Sequence, residues 1–90
     1  MSSKQNLISV RFQGMEFLAI PIMINGNVQY FDFRYSEKDK YDQAWHITSL
    51  DKETVLEEDF TVIKTNMPDF WLKPMIDRLK DMLENNDFNP

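Results

Sequence analysis

The sequence has no cysteine. That excludes a disulfide framework and any thiolate metal site, and it agrees with a reducing compartment. A cytoplasmic setting is the expectation. Glycine is almost as scarce, with only Gly14 and Gly26. Two isolated glycines cannot build a phosphate-cradling loop, so each reads as a turn residue. His46 is the only histidine, which leaves no second imidazole for a metal site. No nucleophile elbow accompanies it, so a catalytic role would need partners brought in from elsewhere in the chain. No cofactor is called for.

Positive charge is also in deficit. Ten Lys and Arg face fifteen Asp and Glu, for a net charge of −5. A nucleic-acid binder usually carries a basic patch, and an anionic membrane attracts basic segments. Neither partner is therefore expected. Long apolar runs are missing too. The longest uncharged stretch, Phe17 to Phe31, is interrupted by Pro, Asn, Gly and Gln. It is too short and too broken for a membrane helix. The polar start MSSKQN gives way to a short apolar stretch that Arg11 ends. That is no signal-peptide apolar region.

What is present is enough for a folded core. Apolar residues make up 42% and aromatics 13% of 90 residues, the size of a single domain. The clearest local signal is MEFLAIPIMI-NG-NVQYFDFRY, Met15 to Tyr35. A two-residue hairpin loop favours a type I′ turn, which needs positive φ at both central residues. Asn tolerates that conformation, and Gly has no Cβ to clash. With Asn25-Gly26 as the loop, Ile24 faces Asn27, Ile22 faces Gln29, Ile20 faces Phe31, Leu18 faces Phe33 and Glu16 faces Tyr35. Leu18, Ile20, Ile22, Phe31 and Phe33 then share one face, the expected core. Phe17, Pro21, Met23, Val28 and Tyr30 share the other with Asp32 and Arg34. A slip of one residue would exchange the two faces. Apolar residues on both faces of the first hairpin strand favour a central position in the sheet. Pro21 favours an edge or a bulge, because it cannot donate to a ladder.

Around the hairpin, Leu7 to Phe12 alternates as a half-buried strand, and Gln13-Gly14 offers a tight turn. Ser36 to Gln43 is charged and aperiodic and reads as a loop. Ala44 to Ser49 (AWHITS) is a strand. Thr54 to Asp59 reads either as a helical turn or as a short strand followed by an acidic loop. Phe60 to Lys64 is a further strand. Pro68 suits the first position of a C-terminal helix. Pro74 implies either a separate turn over 68–73 or a kink near Trp71. Beyond it, Met75, Ile76, Leu79, Met82 and Leu83 recur at helical spacing. Lys73–Asp77 and Lys80–Glu84 stand at i,i+4 on the polar face. Residues 1–6 and 87–90 read as loose tails. The expected architecture is α+β: an antiparallel meander of four to five strands, with one C-terminal helix packed on one face.

Function is less legible. The leading expectation is a non-enzymatic protein-interaction module, homodimeric or docking a partner through Phe17, Pro21, Met23, Val28 and Tyr30. One helix covers only one face of a sheet, and exposed apolar area often marks an interface. Trp71, in the run Phe70-Trp71-Leu72, packs over the end of the sheet or serves as an aromatic anchor for a partner. The acidic run Asp51, Glu53, Glu57, Glu58 and Asp59 lacks calcium-loop spacing. It reads as a solvated loop or, in an alternative reading, as the surface of an acidic regulator or nucleic-acid mimic that occupies a basic site. That alternative requires the run to align with Asp81, Glu84 and Asp87. A second alternative is a small-molecule binder or enzyme built around His46.

Overall fold

The computed structural model describes residues 12, 14–38 and 41–86. Five strands, β1 (Glu16–Ile24), β2 (Asn27–Lys38), β3 (Tyr41–Ser49), β4 (Lys52–Leu56) and β5 (Val62–Thr65), precede one helix, α1 (Asp69–Asn86). The strands form one antiparallel sheet in the order β1-β2-β3-β4-β5. The fold is the expected α+β meander with a C-terminal helix.

Asn25 (φ 50°) and Gly26 (φ 84°) both adopt the left-handed conformation that a type I′ turn requires. The anticipated register holds from Ile24↔Asn27 outward to Ile20↔Phe31. It then breaks. The next pair is Phe17↔Phe33, followed by Glu16↔Arg34. One extra residue stands in β1, which is a β-bulge. Ala19 sits in it at φ 55°, and its amide donates to Asp32 Oδ1 at 2.8 Å. The bulge reverses the assignment of two side chains. Phe17, expected outside, packs against the core, and its ring lies nearly parallel to that of Trp45 at 6.3 Å. Leu18, expected inside, is 48% exposed.

β1 is an edge strand, not a central one. In a two-residue hairpin the pair flanking the turn is hydrogen-bonded and alternate pairs are not. Pro21↔Tyr30 falls among the latter, so the proline nitrogen points away from β2, where no bond is lost.

Of the expected loop Ser36 to Gln43, 36–38 belong to β2 and 41–43 to β3, with Ser36↔Ala44 and Lys38↔Tyr41 paired, while 39 and 40 lie outside the described residues. Ladder bonds are made by backbone groups, so a polar sequence can still pair as strand. Leu50 and Asp51 form the next tight turn, and β4 starts at Lys52, which settles Thr54 as strand. The proposed strand over 7–12 lies outside the described residues except for Phe12, which has helical backbone. The Phe12 ring meets Tyr35 at 5.3 Å and Trp45 at 5.8 Å. Gln13 of the expected tight turn lies outside the described residues, while Gly14 stands at φ 79° and the Met15 amide donates to the Phe12 carbonyl at 3.0 Å. β5 begins at Val62, two residues later than expected, because Glu57 and Thr61 close a turn through Glu57 N–H···O=C Thr61 at 2.8 Å. The tails 1–6 and 87–90 also lie outside the described residues.

The inner face of the sheet carries Ile22, Ile24, Phe31, Phe33, Tyr35, Trp45, Ile47 and Leu56, all buried. α1 covers it with Trp71, Met75, Leu79 and Leu83, a stripe with a spacing of four residues. Ile76 and Met82 flank that stripe, half-buried. Each large side chain removed from water contributes roughly 1.5–3 kcal/mol, so this layer dominates the stability of so short a chain. The helix runs unbroken through Pro74, neither ending nor starting there. Proline at 74 removes the bond to the Phe70 carbonyl, which belongs to an exposed residue. Of the two anticipated helix ion pairs, Lys73–Asp77 forms at 3.0 Å. Lys80 instead lies over the Phe60 ring, 5.5 Å from its centre.

Candidate interaction surface

With α1 on the inner face, the outer face of the β1–β2 hairpin has no layer over it among the described residues. Met23 is 60%, Val28 46% and Tyr30 62% exposed, and Pro21 is exposed beside them. Met23↔Val28 and Pro21↔Tyr30 are adjacent cross-strand pairs, so the four side chains form one block. Strand alternation places them there once the inner face is committed to Ile22, Ile24 and Phe31. The block is held at both ends. The Asn25-Gly26 turn fixes one. At the other, Ser49 Oγ, buried, donates to the Tyr30 carbonyl at 2.8 Å.

Two residues outside the expected set extend the patch. Leu50, 82% exposed, follows Ser49 in the β3–β4 turn, next to Tyr30 in the continued register. Its position was legible in the alternation of AWHITS, which sends Trp45 and Ile47 inward. Leu18 enters through the bulge, for which β1 itself carries no local signal. Phe17 leaves the set for the core. The rim of the outer face holds charges of both signs, with Arg34 Nε 3.3 Å from Glu16 Oε2 and Lys64 Nζ 3.9 Å from Glu53 Oε1. Toward β3 and β4 the same side of the sheet changes character, and Ala44 and Val55 are buried.

Trp71 is not at the surface. It is buried, edge-on to Phe31 with ring centres 5.7 Å apart, and Phe70 is the member of its run left outside. The stripe Met75, Leu79, Leu83 extended back by four residues reaches Trp71, a signal hidden by treating Pro74 as a break.

The acidic run is divided by β4. Asp51 and Glu53 stand at one end, beside Lys52 at 3.8 Å and Lys64 respectively. Glu57, Glu58 and Asp59 stand at the other, about 15 Å away along a five-residue strand. Glu58 accepts a hydrogen bond from the Tyr35 hydroxyl. Asp59 accepts one from the Thr61 amide at 3.1 Å. Hydrogen bonding from the Thr61 side chain, and then from its backbone, holds the Asp59 carboxyl below its usual 3.8. Asp81 is paired with Arg78 at 3.2 Å. Asp87 lies outside the described residues. The described carboxylates thus do not form one field: Glu58 and Glu84 line a common groove, whereas Asp51 and Glu53 lie at the other end of β4 and Asp81 is paired with Arg78.

His46 lies on β3, half-buried, opposite Arg34 on β2 and Val55 on β4. Depressions of about 380, 340 and 200 Å³ among the described residues are lined by residues other than His46. Among the described residues no group of three His, Asp or Glu is placed to hold a metal ion. No helix among them is long and apolar enough to cross a membrane.

Comparison with protein-family models, with curated proteins and with solved structures gives no match to this chain.

Proposed function

We propose that this chain is a non-enzymatic interaction module that associates with a second copy of itself through the outer face of the β1–β2 hairpin. The observation that carries the reading is the exposed apolar block of Pro21, Met23, Val28 and Tyr30 on a hairpin held at both ends. Together with Leu18 and Leu50 it offers on the order of 300–600 Å², the size of a patch that is usually functional. A stable dimer buries about 800 Å² on each partner, so the charged rim joins the contact.

Two features favour a second copy meeting face to face. The rim carries Arg34 beside Glu16 and Lys64 beside Glu53, so with Asp32 the described charges on this side sum to about −1, although the chain carries −5. Two identical faces then meet without strong repulsion, as an isologous contact requires. The sheet edges, by contrast, are blunted against strand pairing. β1 has Pro21 and the bulge at Ala19, and β5 has only four residues.

Sedimentation equilibrium over a concentration series tests the reading. The expected mass rises toward twice that of the chain and changes little with salt, because the contact is apolar. Met23→Glu with Tyr30→Glu should return the protein to a monomer with an unchanged circular dichroism spectrum. A wild-type mass of one chain at about 1 mM, a concentration that captures even weak association, would overturn it.

A further inference from the structure

We infer that the groove between the C-terminal half of α1 and the β4–β5 turn is a binding site for a small organic monocation with an apolar body. The groove encloses about 380 Å³ and is lined by Phe12, Glu58, Phe60, Lys80, Leu83 and Glu84. That volume falls within the range of small-molecule sites, roughly 300–1,000 Å³. It lies on the helix side of the sheet, so it is separate from the hairpin face.

The lining has two parts. Phe12 and Leu83, both buried, and the half-buried Phe60 supply apolar walls. Glu58, Glu84 and Lys80 supply charge, two negative and one positive, so the described lining carries one uncompensated negative charge. A monocation neutralises it, and a dication or an anion does not. The placement of Lys80 decides which carboxylate is available. Lys80 is four residues before Glu84 but spends its ammonium on the Phe60 ring. Glu84 therefore has no ion pair among the described residues. Glu58 is held in place by the Tyr35 hydroxyl while keeping further acceptor positions.

The turn at Phe60 fixes the aromatic wall of the groove. It stands at φ 73°, a conformation in which a bulky residue is an outlier. The turn is closed by the Phe60 amide donating to the Glu57 carbonyl at 2.8 Å. Glycine would occupy that backbone position without strain. The Phe60 ring is half-buried against the core and lines the groove, with the Lys80 ammonium already over it. The ligand's ammonium therefore pairs with the Glu58 and Glu84 carboxylates, and its apolar body packs on Phe12, Phe60 and Leu83.

The test is a titration of 2-phenylethylamine into the full ¹⁵N-labelled chain at neutral pH, with 3-phenylpropionate and ethylamine as controls. Saturable shifts should appear at Glu58, Phe60, Lys80 and Glu84, with a Kd on the order of 1 mM for so small a ligand. Ethylamine should bind more weakly for want of an apolar body, and 3-phenylpropionate should not bind. Glu84→Gln should weaken binding about 2- to 5-fold, the effect of one exposed charge pair. Phe60→Gly should abolish it while the remaining resonances stay dispersed. The inference is overturned if 3-phenylpropionate binds as tightly as the amine, if the shifts map to other residues, or if none saturates by about 10 mM.

Discussion

Replacing Phe17 by alanine should destabilise the protein by about 2–3.5 kcal/mol, whereas replacing its neighbour Leu18 should cost less than about 1 kcal/mol. Both figures follow from the bulge. A fully buried Phe→Ala change costs about 3–5 kcal/mol through lost transfer energy and the cavity left behind. Phe17 is half-buried, which scales that to about 1.5–2.5 kcal/mol. Its near-parallel contact with Trp45 adds about 0.5–1 kcal/mol. Leu18 is 48% exposed on the far side of the bulge and has little to lose. In a domain of this size 1 kcal/mol corresponds to about 4–8 °C in Tm. Phe17→Ala should therefore lower Tm by roughly 10–20 °C, and Leu18→Ala by a few degrees. Urea unfolding followed by tryptophan fluorescence measures both variants, provided the m-values agree with that of the wild type. An uninterrupted ladder predicts the reverse order, with Leu18 in the core opposite Phe33. If Leu18→Ala costs as much as Phe17→Ala or more, the bulged register is wrong.

Two further perturbations test local features. Pro74→Ala restores the backbone N–H that the Phe70 carbonyl lacks and removes the ring clash with that turn; thermal unfolding should show a gain of about 1 kcal/mol or more, and no gain would mean that the helix already accommodates the proline. Asp59 accepts hydrogen bonds from Thr61 in its ionised form, so its folded carboxyl titrates below the usual 3.8. A depressed carboxyl pKa contributes stability that is complete above the unfolded value and is lost as the pH falls through the folded one. Carbon-detected NMR titration should place the Asp59 midpoint below 3.8 and move it part of the way back in Thr61→Ala, which keeps the backbone donor, whereas an unshifted wild-type midpoint would refute the assignment.

The hairpin shows how far local chemistry reaches. Asn25-Gly26 specifies positive φ at two adjacent positions, and with it the register of the five pairs nearest the turn. Those choices depend on the conformational freedom of the turn residues and on alternation along each strand. The bulge depends on something else. Asp32, thirteen residues away in sequence, captures the Ala19 amide, and no pattern within β1 announces that bond. Phe17 and Leu18 exchange places as a consequence. The hairpin face survives as a candidate surface because Pro21, Met23, Val28 and Tyr30 lie between the bulge and the turn.

The groove beside α1 was not legible. Its walls come from Phe12, Phe60 and Leu83, residues scattered along the chain, and Lys80 reaches Phe60 rather than the Glu84 that helical spacing offers it. The acidic run, continuous in sequence, is separated into two groups by the length of β4.

The α+β class, the Asn-Gly hairpin, the inner-face set from Ile22 to Phe33 and the apolar stripe of the helix, which reaches Trp71 once Pro74 is not read as a break, are all written locally. Each follows from neighbours within about four residues, through turn conformation or through a period of 2 or 3.6. Where the ladder bulges, that β1 is an edge among the described strands, and which side chains share the groove come from the folded chain alone. Those outcomes depend on contacts between residues distant in the chain, such as Asp32 with the Ala19 amide, and local periodicity does not carry them.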